Sequence, residues 1–364
     1  MRRNAFIFWC RGVGIFGLLI GTAPLARGLT FNLTYDSSTT GAPAAFFTAF
    51  QYAIDFYQTN YTDPVTINLQ VGWGKINGAN LNPGNLGQSS TFQPAGRTYA
   101  QIKAALVADA KSADDAQAVA HLPAADPTGG ATFVMSNAEA KALGLLAANA
   151  AGLDGYVGFD STANTFTFDP ANRAVPGKYD FIGLAHHEIT EIMGRYGLGQ
   201  NGASSGRYSP IDLFRYLSAG NLDLAPANGA YFSIDGGTTV INTFNGTGGG
   251  DLSDWAGATL DPYNAFLTSG QKLDASAGDI TEMDVIGWDR AVPPPALKVA
   301  RTGVSSINLT WSSQSTKFAI VTNSVLTTTN WVAANYAITT TSGTNFSATI
   351  PVPATGRLFF RLKE

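Results

Sequence analysis

"KYDFIGLAHHEITEIMG", Lys178 to Gly194, is the stretch on which the reading of this chain turns. Its spacing predicts a helix of roughly four turns, closed by Gly194. Ala185, Ile189, Ile192 and Met193 supply the buried side. Residues four apart share a helix face, so His187 and Glu191 offer an imidazole nitrogen and a carboxylate oxygen to one point, with Glu188 beside them. His186 lies about 100° around the helix from His187 and is expected behind that point, with its hydrogen bond satisfied. His121, in "AHLPAAD", has no ligand spacing around it and is read as structural. A bare His-Glu-x-x-Glu is also what a solvated charged face looks like, so the rest of the chain must supply the context.

Working outward, "PAAFFTAFQYAIDFYQ" (Pro43 to Gln58) carries Phe46, Phe47, Phe50, Ile54 and Tyr57 at helical spacing, with Pro43 suited to a first turn. "DPVTINLQVGWG" alternates, with Val65, Ile67, Leu69 and Val71 on one face, and predicts a half-buried strand. "LTFNLTYD" is a short strand. "YAQIKAALVADAK" and "NAEAKALGLLAA" read as helices, and "GYVGFDSTANTFTFD" as two short strands. Beyond the central helix the chain is loop-rich. "YFSIDGGTTVINTFN" suggests a hairpin turning at Asp235-Gly236-Gly237, and "DITEMDVIGW" a last helix. After the Pro-rich linker 291–296, the strands "SINLTWS", "KFAIVTNS", "NFSATIPV" and "RLFFRLK" predict a small, fibronectin-type-III-like β-sandwich over 297–364. Trp311 and Trp331 are read there as core residues. The fold class is therefore α+β over 29–290 followed by an all-β domain.

Residues 1–28 read as a secretion signal: Arg2 and Arg3, an interrupted apolar run from Phe6 to Ile20, and small residues at Ala26 and Gly28. Cleavage after Gly28 would leave about 336 residues, enough for two domains. The one cysteine, Cys10, lies inside that signal, so the mature chain is expected to hold neither a disulfide nor a cysteine-ligated metal. The formal net charge of −4 and the lack of a basic stripe interleaved with aromatics argue against nucleic acid as a partner. No stretch is long and apolar enough for a comfortable membrane span. A secreted protein, extracellular or periplasmic and monomeric, is expected.

"YDFIGLAHHEITEIMGR" resembles the active-site helix of metzincin-like zinc metallopeptidases, and "AGDITEMDVIGW" resembles their closing helix. "VTINLQVGWG", "SPIDLFRY" and "YFSIDGG" are similar to segments of a narrower group of secreted bacterial metalloproteases with a His-Glu-x-x-Glu helix. The resemblance covers most of 29–289. It implies a metzincin-like catalytic domain, zinc held by His187 and Glu191, Glu188 as general base, and hydrolysis of a protein or peptide. The chain departs from the pattern in three places. Glu191 stands where metzincins have histidine, Gly197 falls at the usual third-ligand position, and the methionine turn is replaced by "LDPYNAFLTSG".

The third ligand must then come from elsewhere. Asp212, an isolated acid in "SPIDLFRY", is the first choice, set against a helix cap or a partner for Arg215. Asp251 and Asp254 on the Gly-rich loop are the alternatives, and they suit a structural calcium equally well. Tyr208 or His186 is the candidate to steady an oxyanion. Two carboxylate ligands weaken a metal's Lewis acidity and loosen the preference for zinc over manganese. The leading expectation is thus a secreted metal-dependent endopeptidase. A catalytically silent binding module and a calcium-binding surface protein are the competing readings. The C-terminal domain is expected to bind a surface or a carbohydrate, or the catalytic domain itself.

Overall fold

The computed structural model describes residues 6–10, 13–18, 28–197, 206–225, 229–246, 248–257, 260–291, 296–303, 305–312, 318–325, 330–341, 345–351 and 357–363. Among them are six α-helices and several sheets, an α+β chain. It divides into two compact units, residues 26–291 and residues 1–25 with 292–364.

The larger unit is built on a four-stranded sheet. Its strands are β1 (Thr30–Tyr35), β2 (Thr66–Trp73), β3 (Gly87–Thr91) and β4 (Gly155–Phe159), in the order β1-β2-β4-β3. β1, β2 and β4 are parallel, with Leu33 opposite Leu69 and Val71 opposite Val157. β3 forms one edge and runs antiparallel to β4, with Ser89 opposite Val157. The alternation of β2 buries Ile67, Leu69 and Val71 as expected.

Helix α1 (Ala44–Asn60) buries Phe46, Phe50, Ile54 and Tyr57. Pro43 is its N-cap rather than part of its first turn. α2 (Tyr99–Asp109) begins with a Thr98–Gln101 capping box. α3 (Ala113–Ala120), an unforeseen helix, begins with a Ser112–Asp115 box. α4 (Asn137–Ala142) stops well short of the expected Ala148, and Gly144 follows in the left-handed region. Buried Lys141 on α4 donates to Asp154 at 2.6 Å, and Asp154 also accepts from the Asn68 amide, which ties α4 to β2.

The central helix α5 (Phe181–Ile192) is shorter than the four turns expected, because Tyr179–Asp180 is extended and pairs with Phe166–Thr167. α5 packs beside α1. Phe46, Phe159 and Phe181 meet with ring centroids 4.9–6.0 Å apart, joining both helices to β4. The closing helix α6 (Ala277–Val285) leads to fully buried Trp288, whose Nε1 donates to the Met193 carbonyl at 2.8 Å. The last turn of α5 is thereby fixed from below. Tyr231–Phe232 pairs antiparallel with Asn242–Thr243 across a long loop that contains Asp235–Gly237, the expected hairpin.

In the smaller unit, the strands Lys298–Arg301, Ser306–Ser312, Thr339–Thr341 and Asn345–Pro351 form one sheet. Ala319–Asn323, Val332–Ala333 and Phe359–Lys363 lie in another, which Phe6–Cys10 and Val13–Leu18 extend. The two sheets share a core of Ile307, Leu309, Trp311, Ile320, Ile350 and Phe360. Trp331 is half-buried under the Arg361 guanidinium. Residues 19–27, which carry most of the expected cleavage site, and 292–295 of the linker lie outside the described residues.

Candidate metal centre

The site is assembled on α5, and its start is held rigidly. Asp180 is the N-cap, accepting from the Ile182 amide at 3.2 Å. The same carboxylate accepts from the Leu273 amide and from Arg173 Nε, all buried. At the other end the chain reverses at Gly194 (φ +115°), where a Cβ would strike the Glu139 carboxylate. That residue must be glycine both for its backbone angle and for the space.

On the half-buried side of α5, His187 Nε2 lies 3.7 Å from Glu191 Oε1 and 3.8 Å from Asp254 Oδ2. These three residues bring one nitrogen and two oxygens within 4.8 Å of one another. His187 Nδ1 is 2.9 Å from the Pro262 carbonyl. A carbonyl only accepts, so Nδ1 carries a proton and Nε2 is the ring nitrogen turned toward a cation. Ligands around tetrahedral zinc, with bonds of about 2.0–2.2 Å, stand roughly 3.3–3.6 Å apart, close to the 3.7 and 3.8 Å at which His187 Nε2 stands from the two carboxylates.

Each carboxylate is steered by a donor on its far side. Ser89 Oγ on the edge strand β3 donates to Glu191 Oε2 at 2.5 Å, and Arg195 Nη1 to Asp254 Oδ1 at 2.5 Å. The near oxygens, Oε1 and Oδ2, are the ones that face His187. Glu188 is buried beside them, with its Oε1 against the backbone of Gly87. Its carboxyl is held well above the ordinary range by burial, then by the charges of Glu191 and Asp254, with Arg195 opposing. Asp251 is raised by burial, then by the charge of Glu191. Four carboxyls thus crowd round one guanidinium. Such a site favours a divalent cation, and the donor set fits one.

Asp212 lies elsewhere. Its carboxylate accepts from the Ser209 amide at 2.7 Å and caps the short turn Pro210–Phe214. It sits against Gly197, and the place beside His187 and Glu191 is taken by Asp254. The physical reason is local: with Pro210 at the start of the turn, a carboxylate three residues past Ser209 satisfies a free amide at once. Arg215 pairs instead with Asp223 at 2.7 Å. Tyr208 donates its hydroxyl to the Leu224 carbonyl. His186 is buried between Phe56 and Tyr57, with Nδ1 3.1 Å from Tyr57 Oη. Burial, helped by Arg173, pushes its pKa down to about 3, so the ring is neutral.

Sequence reasoning missed Ser89, Arg195 and the Pro262 carbonyl. Ser89 lies in a polar strand with no alternation. A backbone carbonyl has no signature at all. A second trio, Asp63, Asp109 and Asp289, also brings carboxylate oxygens together, with the Lys111 ammonium bound to Asp289. Comparison with protein-family models, curated proteins and solved structures found no match, so the geometry alone carries the functional argument.

Proposed function

We propose that the chain is a metal-dependent peptide hydrolase, with His187, Glu191 and Asp254 as ligands and Glu188 as general base. The observation that carries this reading is the convergence of His187 Nε2, Glu191 Oε1 and Asp254 Oδ2 beside a buried carboxyl. A divalent ion held there, zinc or manganese, would supply Lewis acidity toward a peptide carbonyl. Glu188 accepts a proton from the attacking water and returns it to the leaving amine. Its environment favours the protonated form, which makes its carboxylate a stronger base than an exposed glutamate. β3 is the edge of the sheet and passes directly over Glu188, so an extended peptide can add to that edge and lie across the site. The signal-like start supports export of the protein.

Elemental analysis tests the site, and a protein-substrate assay tests the chemistry. One equivalent of transition metal is expected in the parent, lost in Glu191→Ala and in Asp254→Asn. Glu188→Gln should keep the metal and lose hydrolysis. A metal-bearing parent with no hydrolysis of any peptide would turn the reading to a silent binding module.

A further inference from the structure

Arg195 is fully buried, immediately beyond the turn that ends α5, and its backbone amide donates to the Thr190 carbonyl at 2.9 Å. The side chain curls back under its own helix. Nη1 holds Asp254 Oδ1 at 2.5 Å, Nε donates to Thr190 Oγ1 at 3.0 Å, and Nη2 donates to the His187 carbonyl at 3.4 Å. Nη2 also stands 4.0 Å from Glu191 Oε1, and the guanidinium lies over the Tyr263 ring at 4.5 Å. One planar group therefore touches Asp254, the backbone of His187 and the margin of Glu191.

We infer that Arg195 is a positioning residue that makes Asp254 a one-oxygen ligand and sets where that oxygen stands. This inference rests on the metal reading above. Asp254 comes from the loop after Asn245, far in sequence from α5, and needs a fixed anchor to meet ligands on the helix. Committing Oδ1 to the guanidinium leaves Oδ2 toward His187 Nε2 and prevents both oxygens from closing on the ion. The positive charge also offsets part of the surplus negative charge of Glu188, Glu191, Asp251 and Asp254. Lysine keeps the charge but cannot donate in three fixed directions, because its ammonium is a compact point on a flexible stem.

The test is titration of the metal-stripped full chain with Co2+ and Zn2+, following Co2+ visible absorption and the Zn2+ dissociation constant by chelator competition. Arg195→Met should weaken Zn2+ binding by about 10–100-fold, as loss of an outer partner of a ligand does, and change the Co2+ spectrum. Arg195→Lys should fold, recover part of the affinity and still show an altered spectrum. A parent that binds metal while Arg195→Lys matches it in both spectrum and affinity overturns this inference alone. A parent that takes up neither Co2+ nor Zn2+ overturns the metal reading, and this inference with it.

Discussion

Replacing Gly87 with alanine should disable the site while leaving the fold in place. A Cβ at Gly87 would lie 2.4 Å from Glu188 Oε1 and 3.0 Å from its Cγ and Cδ. Non-bonded heavy atoms settle at about 3.5 Å, so the carboxylate tip must retreat by about 1 Å. The backbone angle of Gly87 is not in the left-handed region, so alanine can adopt it. Alanine is favoured over glycine within a strand by roughly 0.5–1 kcal/mol, which offsets part of the crowding. The clash falls on the end of a side chain and not on backbone, so the melting temperature should move little. Catalysis is far less tolerant: a displacement of about 1 Å can cost on the order of 100-fold, equivalent to about 2.7 kcal/mol of barrier. Measured on a protein or peptide substrate, kcat/KM should fall by about that factor, while elemental analysis still finds the parent's metal content. Unchanged kcat/KM in a folded, metal-loaded variant would refute the reasoning, because the position of Glu188 would then not matter to the chemistry.

Asp180→Ala removes the α5 N-cap and the buried partner of Arg173, leaving it only the more exposed Asp274; breaking a buried pair costs about 3–5 kcal/mol, and a denaturation midpoint close to the parent's would contradict it. Lys141→Met leaves Asp154 buried without its cation; a loss of similar size, about 3–5 kcal/mol, should appear in the same assay, and a neutral result would show that water reaches the pair. Asp63 is pushed up to about 8 by burial, then by the charges of Asp289 and Asp109. The folded state therefore binds more protons than the unfolded chain, whose aspartates titrate near 3.9, and stability should fall as pH rises from roughly 4 through 8. With chelator present, Asp63→Asn should flatten that slope; an equal slope in the variant would place its origin elsewhere.

Much of the frame could be read from the sequence, because it rests on periodicity. Phe46, Phe50 and Tyr57 recur at helical spacing in α1, and Ile67, Leu69 and Val71 alternate in β2. The pair on α5, His187 and Glu191, was legible for the same reason, since i and i+4 face one way. β3 was not. "GQSST" has no apolar alternation, because this edge strand lies against polar groups of α5, with the Gly87 backbone beside Glu188 and Ser89 Oγ on Glu191. Nor could sequence decide between Asp212 and Asp254. Both are nearly fully buried acids, and burial of a carboxylate implies only that it has a partner. For Asp212 that partner is an amide three residues away, which local spacing allows. For Asp254 it is Arg195, 59 residues away, and such a pairing exists only once the chain is folded.

The electrostatics of the centre then connect its position in the fold to its proposed chemistry. A buried surplus of carboxyls costs stability unless protons or cations offset it. Burial and the neighbouring carboxylates push Glu188 well above, and Asp251 above, the ordinary carboxyl range, so that protons compete with a cation for that purpose. A divalent ion among His187, Glu191 and Asp254 would displace them, so uptake should release protons and be tighter at higher pH. The same exchange would convert Glu188 from a carboxylic acid to the carboxylate that a general base requires. Under the proposed function, the arrangement would couple metal uptake to readiness for proton transfer through ordinary Coulomb interactions. Its backbone is fixed by the Asp180 cap at one end of α5 and by Gly194 and Trp288 at the other. With both ends held, the protonation of the carboxyls is what remains free to respond to the ion.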